Sequence, residues 1–288
     1  MMVRSLSVPI ALLLLVVFCR ADAITIRDDT GDAEYRVAAT HLAALADLPG
    51  EGHGVLIAPQ WVLTAAHAVS WQEHVDRVVI AGTPRRVERV VLHPGFKRLP
   101  QALVDRALAN GDGNEIVAFL SASDDVALVK LAEPVVDVAP VALYRGQGEL
   151  GKTVEILGKG ATGTGARGHD LDGSHRTELR RARNRIDRAD ARWLCYTFDR
   201  PPAALPLEGM AGNGDSGGPV LMRGLGRWRL AGLASWKIVQ GDVRTTRPGQ
   251  YGHSSCNVRV SRYVGWIDRT MSAAADAKPE VAGSRRSR

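Results

Sequence analysis

The sequence predicts an all-β fold, and two observations lead to that prediction. The apolar runs are only about four to six residues long, rich in Val, Ile and Leu, and bounded by Gly and Pro. They also follow one another without the alternating helices of α/β proteins, which favours a barrel or a sandwich. A length of 288 residues suits one large domain or two modest ones. The 45% hydrophobic and 24% charged residues exclude wholesale disorder.

The first 23 residues predict a secretory signal peptide. Arg4 precedes an apolar run at 6–18, and Ala21-Asp22-Ala23 follows with small residues at the alternate positions that a signal peptidase reads. A membrane anchor is the alternative, but the run has about 13 residues, whereas a bilayer requires ~20. A lipidated Cys19 is disfavoured by the bulky Phe18 before it. We therefore expect cleavage after Ala23, a secreted or periplasmic protein, and no stable membrane anchor.

After the signal peptide, the predicted strands fall into two halves, 24–140 and 141–272, that meet near Pro140. The strands are predicted at 54–57, 61–64, 78–80, 87–92, 126–131, 153–157, 219–222, 228–233 and 257–260. Residues 101–109, inside a longer excursion at 97–115, are predicted to be helical, as are residues 261–271. Residues 273–288 are predicted to form a disordered basic tail.

Three segments carry residue types suited to nucleophilic chemistry. They run from Leu63 to His67, from Asp125 to Leu131, and from Gly212 to Pro219. In these segments, and in their order along the chain, residues 52–267 resemble the chymotrypsin/trypsin-like serine peptidases. The resemblance implies two six-stranded antiparallel β-barrels with a C-terminal helix. It also implies that His and Asp lie on the first barrel and Ser on the second.

The resemblance assigns the catalytic roles to His67, Asp125 and Ser216. A serine hydroxyl is a weak nucleophile near neutral pH, and an imidazole can take its proton and later deliver it to the leaving amine. A carboxylate that accepts from the other ring nitrogen fixes the tautomer. Asp125 is preferred because an apolar run follows it directly, and the adjacent Asp124 is the alternative. The N–H groups of Gly214 and Ser216 are predicted to form the oxyanion hole.

The residue exposed by signal removal has a predicted partner of its own. In the peptidases that this chain resembles, a freed Ile or Val amine inserts beside the aspartate preceding the nucleophile. Cleavage after Ala23 would free Ile24, and the matching acid is Asp215. The resemblance therefore implies an Ile24–Asp215 ion pair that orders the oxyanion hole without a separate propeptide. The alternative is that residues 24–26 are simply an edge strand.

Two cysteines, Cys195 and Cys256, remain after signal removal. In an oxidising compartment they are candidates for one disulfide, but two separate buried thiols are an alternative that spacing does not exclude. The family commonly places a disulfide around the histidine, and the corresponding positions here are Gly52 and Ala68.

The residues expected to contact substrate depart from the trypsin pattern. Trypsin-like members carry an aspartate six residues before the serine, where this chain has Met210, so cleavage after Arg or Lys is not expected. Ser235 and Trp236 resemble the strand that pairs with extended substrate. We expect Lys237 to be a solvated surface residue, with narrowing of the pocket or attraction of an acidic substrate group as alternatives. An uncharged, small or apolar residue is therefore expected beside the cleaved bond.

The remaining features predict no cofactor, no metal and no nucleic-acid partner. The histidines show neither a pair four residues apart nor a cluster with carboxylates. The net charge of +6 is modest, and the basic run at 176–188 is interleaved with acidic residues and is expected to be a solvated face. We thus predict a monomeric, secreted serine endopeptidase acting on proteins or peptides. The alternative is a catalytically silent secreted binding protein on the same scaffold.

Overall fold

The computed structural model describes residues 24–170, 178–224 and 226–276. The predicted signal peptide lies outside these residues. The strands are β1 Ile24–Ile26, β2 Leu45–Asp47, β3 His53–Ala58, β4 Trp61–Thr64, β5 Arg77–Ile80, β6 Thr83–Leu92, β7 Ala127–Leu131, β8 Thr153–Gly158, β9 Thr162–Thr164, β10 Gly168–His169, β11 Arg180–Arg185, β12 Arg188–Ala189, β13 Trp193–Thr197, β14 Gly209–Met210, β15 Pro219–Gly224, β16 Arg227–Ile238 and β17 Ser254–Arg259. The helices are α1 Asp32–Tyr35, a 3-10 turn at Ala39–Leu42, α2 Ala66–Ser70, α3 Gln101–Asn110, α4 Asn114–Ser121 and α5 Val260–Asp276.

The first half is a closed antiparallel barrel of six strands in the order β2-β3-β4-β7-β6-β5, closed by pairing of β2 with β5. Its central strands are buried on both faces. Leu56 and Val62 face a core inside the barrel, whereas Val55 and Leu63 face a second core shared with the other half of the protein. Burial on both faces explains why these strands appear in the sequence as continuous apolar runs rather than as alternating patterns.

The second half is a curled antiparallel sheet of seven strands in the order β11-β8-β15-β16-β17-β13-β12. A smaller sheet, β10-β9-β1-β14, lies beside it, and an isolated bridge between Arg183 and Glu208 links the two near the edge strand β11. The predicted all-β, chymotrypsin-like class with a C-terminal helix is therefore confirmed. The second half differs in detail from the prediction, because this edge is extended by short strands instead of closing into a six-stranded barrel.

The N-terminal segment belongs structurally to the second half, although the sequence division placed it with the first. Strand β1 pairs with β14 and, in parallel, with β9, so it is an interior strand and not an edge. The buried Arg180 donates from Nε to Asp32 Oδ1 at 2.6 Å. Tyr35 donates its hydroxyl hydrogen to the carbonyl of Glu208 at 2.9 Å. These contacts fix residues 24–36 against the sheet that carries the serine loop.

The predicted helices are present, with longer bounds than the sequence indicated. Helices α3 and α4 form the excursion between β6 and β7, and Gly111 ends α3 in the left-handed conformation at φ 73°. Helix α5 packs on the shared core through Tyr263 and Ile267. It begins at Val260, which the sequence assigned to a strand, and it includes residues 273–276 of the predicted tail. The rest of that tail lies outside the described residues.

The link between the halves contacts both of them around the predicted junction at Pro140. The N–H of Val141 donates to the carbonyl of Leu56 in the first barrel at 2.9 Å, and that of Tyr144 donates to Leu230 in the second half at 2.9 Å. The shared apolar core lies between the halves, and the residues singled out by the sequence meet at its edge.

Candidate active site

His67, Asp125 and Ser216 form one continuous hydrogen-bonded chain. His67 Nδ1 lies 2.6 Å from Asp125 Oδ2, and His67 Nε2 lies 2.7 Å from Ser216 Oγ. With Asp125 ionised, the Nδ1 hydrogen is donated to the carboxylate, and Nε2 is left to accept from the serine hydroxyl. The arrangement therefore allows the imidazole to take a proton from Ser216 while the carboxylate holds it in the required tautomer.

The fold brings these three residues together from distant segments. Strands β4 and β7 are neighbours, with Thr64 opposite Ala127, so His67 on α2 and Asp125 just before β7 leave the barrel side by side. The loop between β14 and β15 carries Ser216, and the N–H of His53 donates to the Ser216 carbonyl at 2.7 Å. The first barrel thus holds the serine loop directly by its backbone.

Asp125 is held in place by three donors. Its Oδ1 accepts from the His67 backbone N–H at 2.7 Å, and its Oδ2 accepts from the Ser235 hydroxyl at 2.5 Å as well as from the ring. Burial alone would raise the pKa of Asp125, but the charge and hydrogen bonds of His67 and the bond from Ser235 lower it below its usual value. Burial likewise opposes ionisation of His67, and the charge of Asp125 outweighs it and raises the His67 pKa.

The adjacent carboxylate, Asp124, is used differently. It accepts from Tyr263 Oη at 2.8 Å and from Arg192 Nε at 2.9 Å. Burial acts to raise the Asp124 pKa, and these two hydrogen bonds lower it overall. Asp124 therefore ties α5 to the start of β7, and the carboxylate facing His67 is that of Asp125.

The backbone around Ser216 presents two N–H groups in one region. Gly214 has φ 84°, a left-handed value suited to glycine. The Asn213 carbonyl accepts from Ala161 N–H at 2.5 Å, and the Asp215 carbonyl accepts from Gly218 N–H at 2.8 Å. Because N–H and C=O point in opposite directions across a trans peptide, these bonds direct the N–H of Gly214 away from Ala161 and that of Ser216 away from Gly218. Neither N–H has an acceptor within the described residues, so both are available to an oxyanion.

Asp215 is buried, and its carboxylate is engaged by groups that the sequence did not predict. Gly160 N–H donates to Oδ1 and Gly212 N–H to Oδ2, each at 2.7 Å, and His53 Nε2 lies 3.5 Å from Oδ1. Burial acts to raise the Asp215 pKa, but the His53 contact and the two amides lower it. Ile24 is also fully buried, within β1, and no hydrogen bond joins it to Asp215 in the described part of the chain.

His53 continues the buried network away from the nucleophile. Its Nδ1 lies 3.3 Å from Asp47 Oδ1, and Asp47 Oδ2 accepts from Lys159 Nζ at 3.0 Å. The sequence treated His53 as an ordinary structural histidine, because its carboxylate partners are remote or are separated from it by a turn. Its position at the start of an apolar strand was the only local indication.

The predicted substrate-contacting residues surround the serine loop. Met210 is fully buried in β14, and Trp236 packs edge-on against Trp193 with ring centroids 5.4 Å apart. Ser235 points to Asp125. The expectation of a solvated Lys237 is wrong: the residue is partly buried on β16, opposite Ser255 of β17.

Cys195 and Cys256 form a disulfide, which resolves the alternative that the sequence left open. The two cysteines are directly opposite each other on β13 and β17, and both are buried. The disulfide therefore fastens the part of the sheet that carries Trp193 and pairs with β16.

A cavity of about 450 Å³ adjoins His67, Asp125 and Ser235. Its wall is mainly apolar and is formed by Trp71, Phe96, Leu99, Leu120, Trp193 and Trp236, with Lys97 and Arg98 also lining it. The excursion between β6 and β7 supplies about half of this wall. The sequence predicted the first helix of that excursion but neither α4 nor the cavity, because nothing local shows which way the excursion folds.

Within the described ranges, no group of three or more His, Cys, Asp and Glu side chains is arranged to hold a metal ion. None of the helices described is long and apolar enough to cross a membrane.

Comparison with known families matches most of the chain to a family model. The family model described as Trypsin matches residues 38–267, which is most of the chain and includes the elements carrying His67, Asp125 and Ser216. This match accords with the sequence resemblance and with the closed barrel and curled sheet. The chain therefore belongs to the trypsin family of serine peptidases.

Proposed function

We propose that this protein is a secreted serine endopeptidase that hydrolyses peptide bonds through an acyl-enzyme. The observation that carries the proposal is the hydrogen-bonded chain from Asp125 through His67 to Ser216. Trypsin-family membership supports a serine-type hydrolase acting on protein or peptide substrates. The predicted signal peptide supports export.

In the proposed reaction, Ser216 Oγ attacks the substrate carbonyl carbon and its proton passes to His67 Nε2. The carbonyl oxygen becomes an oxyanion that accepts hydrogen bonds from Gly214 and Ser216 N–H, each worth about 100- to 1000-fold in rate. His67 then gives its proton to the leaving amine as the C–N bond breaks. Water, deprotonated by His67, attacks the ester, and Ser216 regains its proton when the acid product leaves.

The proposed specificity concerns the substrate residue whose carbonyl Ser216 attacks. We propose that the enzyme does not accept Arg or Lys at this position. Met210 occupies the position where trypsin-like members have an aspartate, and its side chain is buried among apolar residues. A substrate cation placed there would lose hydration without gaining a partner.

The proposed activation step is signal removal. Cleavage after Ala23 would create an ammonium group on a buried residue, Ile24, which requires a carboxylate partner. Asp215 is the proposed partner, reached by rearrangement of the residues at the start of β1. Active enzyme is expected to begin at Ile24, and acetylation of that amine is expected to abolish activity. A different mature start, or an active acetylated enzyme, contradicts this step.

Covalent labelling with a fluorophosphonate tests the proposed function. Wild type is expected to be labelled and Ser216→Ala is not. Ser121→Ala is the matched control, because the Ser121 hydroxyl donates only to Ala118 of its own helix. Wild type that remains unlabelled would favour the alternative, a catalytically silent binding protein.

A further inference from the structure

Three basic side chains, those of Lys237, His169 and His253, belong to segments that surround the serine loop. Lys237 lies on β16 two residues after Ser235, whose hydroxyl donates to Asp125. His169 Nδ1 lies 3.1 Å from Asn213 Oδ1, which can only accept, immediately before the predicted oxyanion donor Gly214. His253 is buried in the turn before β17, the strand that pairs with Lys237.

The charge of Lys237 acts on three groups of the candidate site. Its positive charge acts to lower the pKa of His67 and that of His169, and Asp215 attracts it. The ammonium therefore lies within electrostatic reach of the predicted general base and of the residue preceding the nucleophile. Burial lowers the Lys237 pKa to about 8, so the side chain is still mostly protonated at neutral pH.

The Lys237 ammonium has no hydrogen-bond or ion-pair partner among the described residues. Asp215, the carboxylate that attracts it, already accepts from Gly160 and Gly212 and faces His53. His169 cannot supply a negative charge, and burial lowers its pKa to about 3, which keeps it neutral. A partly buried cation that is attracted by Asp215 but makes no direct ion pair is costly, and an incoming carboxylate would reduce that cost.

We propose that Lys237 is a specificity-determining residue that selects Asp or Glu at the residue whose carbonyl Ser216 attacks. The inference rests on the proposed peptidase function and replaces the sequence expectation of an uncharged residue there. Two structural observations combine in it. Lys237 lies on β16 two residues after Ser235, which donates to Asp125, and its ammonium has no partner among the described residues. The buried Met210 stands where a carboxylate could have neutralised such a cation. The carboxylate of the substrate would lie against the wall formed by β16 and β17.

Cleavage of matched peptides that differ only in Glu, Gln, Leu or Arg at this residue tests the proposal. Wild type is expected to prefer Glu over Gln by about ten- to a hundred-fold in kcat/KM at pH 7, the range of a charge-assisted hydrogen bond. Lys237→Met is expected to bring the Glu-to-Gln ratio close to one, and Lys237→Arg to restore it. Lys152→Met, which removes an exposed lysine, is expected to leave the ratio unchanged.

The ratio is also expected to fall as the pH rises through about 8, because Lys237 then loses its charge while Glu keeps its own. A lysine that merely fills space would not give this dependence. Equal cleavage of the Glu and Gln peptides by wild type overturns the proposal. So does a Lys237→Met variant that speeds cleavage of all four peptides equally.

Binding to Ser216→Ala separates this inference from the proposed function. Calorimetry with the Glu and Gln peptides is expected to show tighter binding of Glu, lost on adding Lys237→Met. If wild type is not labelled by fluorophosphonate but the Ser216→Ala protein still prefers Glu, the proposed catalysis fails and the selection of acidic residues stands. If wild type is labelled but shows no Glu preference in cleavage or binding, the catalysis stands and the selection of acidic residues fails.

Discussion

Two histidines on either side of Ser216 contact buried carboxylates, and they differ mainly in exposure. The His67 side chain is 39% exposed and contacts Asp125 at 2.6 Å, whereas the His53 side chain is fully buried and faces Asp47 and Asp215 at 3.3 and 3.5 Å. Only the first can meet a substrate, so it is suited to proton transfer. The second is suited to holding the loop in which Asp215 precedes the nucleophile. A histidine beside a carboxylate is therefore suited to proton transfer at His67 and to positioning of the serine loop at His53.

The largest expected effect distinguishes Asp125 from its neighbour. In Asp125→Asn, the amide would donate to His67 Nδ1 and force the ring hydrogen onto Nε2, so Ser216 would lose its base. We expect kcat to fall by about 10⁴-fold. Asp124→Asn is the matched variant, and its rate is expected to stay within about threefold of wild type while its melting temperature falls, because Tyr263 and Arg192 lose a charged partner.

Peptide hydrolysis at pH 8 and thermal unfolding measure the two effects. An Asp124→Asn variant as inactive as Asp125→Asn would contradict the separation of the two roles.

Asp124 and Asp125 also show how much of the candidate site could be predicted from the sequence. Asp125 was selected because the apolar run after it matches the motif of the family that the chain resembles. In the structure, the pairing of β7 with β4 brings the residues just before β7 close to His67. The positions of Gly214 and Ser216 followed from the glycines around the serine. The His53 network did not follow, because its contacts depend on how the turn at 159–160 and the loop at 212–215 meet across the two halves. The partial burial of Lys237 could not be predicted either, because a lysine that follows a tryptophan on a strand gives no local indication of its burial.

The second prediction concerns the replacement of His53, the histidine that positions the serine loop. His53→Gln would remove a ring that faces both Asp47 and Asp215 and accepts from the Lys159 backbone N–H at 3.2 Å. Leaving a buried donor or acceptor unsatisfied costs about 1–3 kcal/mol. We expect the free energy of unfolding to fall by about 1–3 kcal/mol and kcat to fall by about 100-fold, the effect of one misplaced oxyanion donor. Urea unfolding and peptide hydrolysis give the two values.

The exposed His74 provides the matched control, and His74→Gln is expected to change neither quantity. A His53→Gln enzyme that is destabilised but fully active would show that the buried network supports the fold without ordering the oxyanion hole.

The third prediction concerns the pH dependence of the exposed histidine. Asp125 raises the pKa of His67 above its usual value of 6.5, and the protonated ring cannot act as a base. Activity is therefore expected to have its midpoint above pH 6.5 and to fall about tenfold for each pH unit below it. Lys237 acts to lower this pKa and Glu51 to raise it.

Accordingly, Lys237→Met should move the midpoint of kcat/KM upward and Glu51→Gln should move it downward. Shifts of the same sign in both variants would mean that the charges act on the fold and not on His67.

The smallest expected effect tests the far end of the buried network. Burial acts to raise the pKa of Asp47, but His53 and Lys159 lower it to about 2 in the folded protein, against 3.8 without these contacts. The carboxylate therefore stabilises the fold fully above pH 4, and its contribution of about 2 kcal/mol is lost as the pH falls toward 2, because the unfolded chain takes up the proton first. Asp47→Asn is expected to lower the free energy of unfolding near pH 6 and to flatten its decline between pH 4 and 2.

Asp187→Asn, at an exposed position, is the matched control and should leave the pH dependence of the free energy of unfolding between pH 4 and 2 as in wild type. If Asp47→Asn keeps the full wild-type slope, the acid sensitivity arises elsewhere and the charge of Asp47 does not stabilise the network around His53.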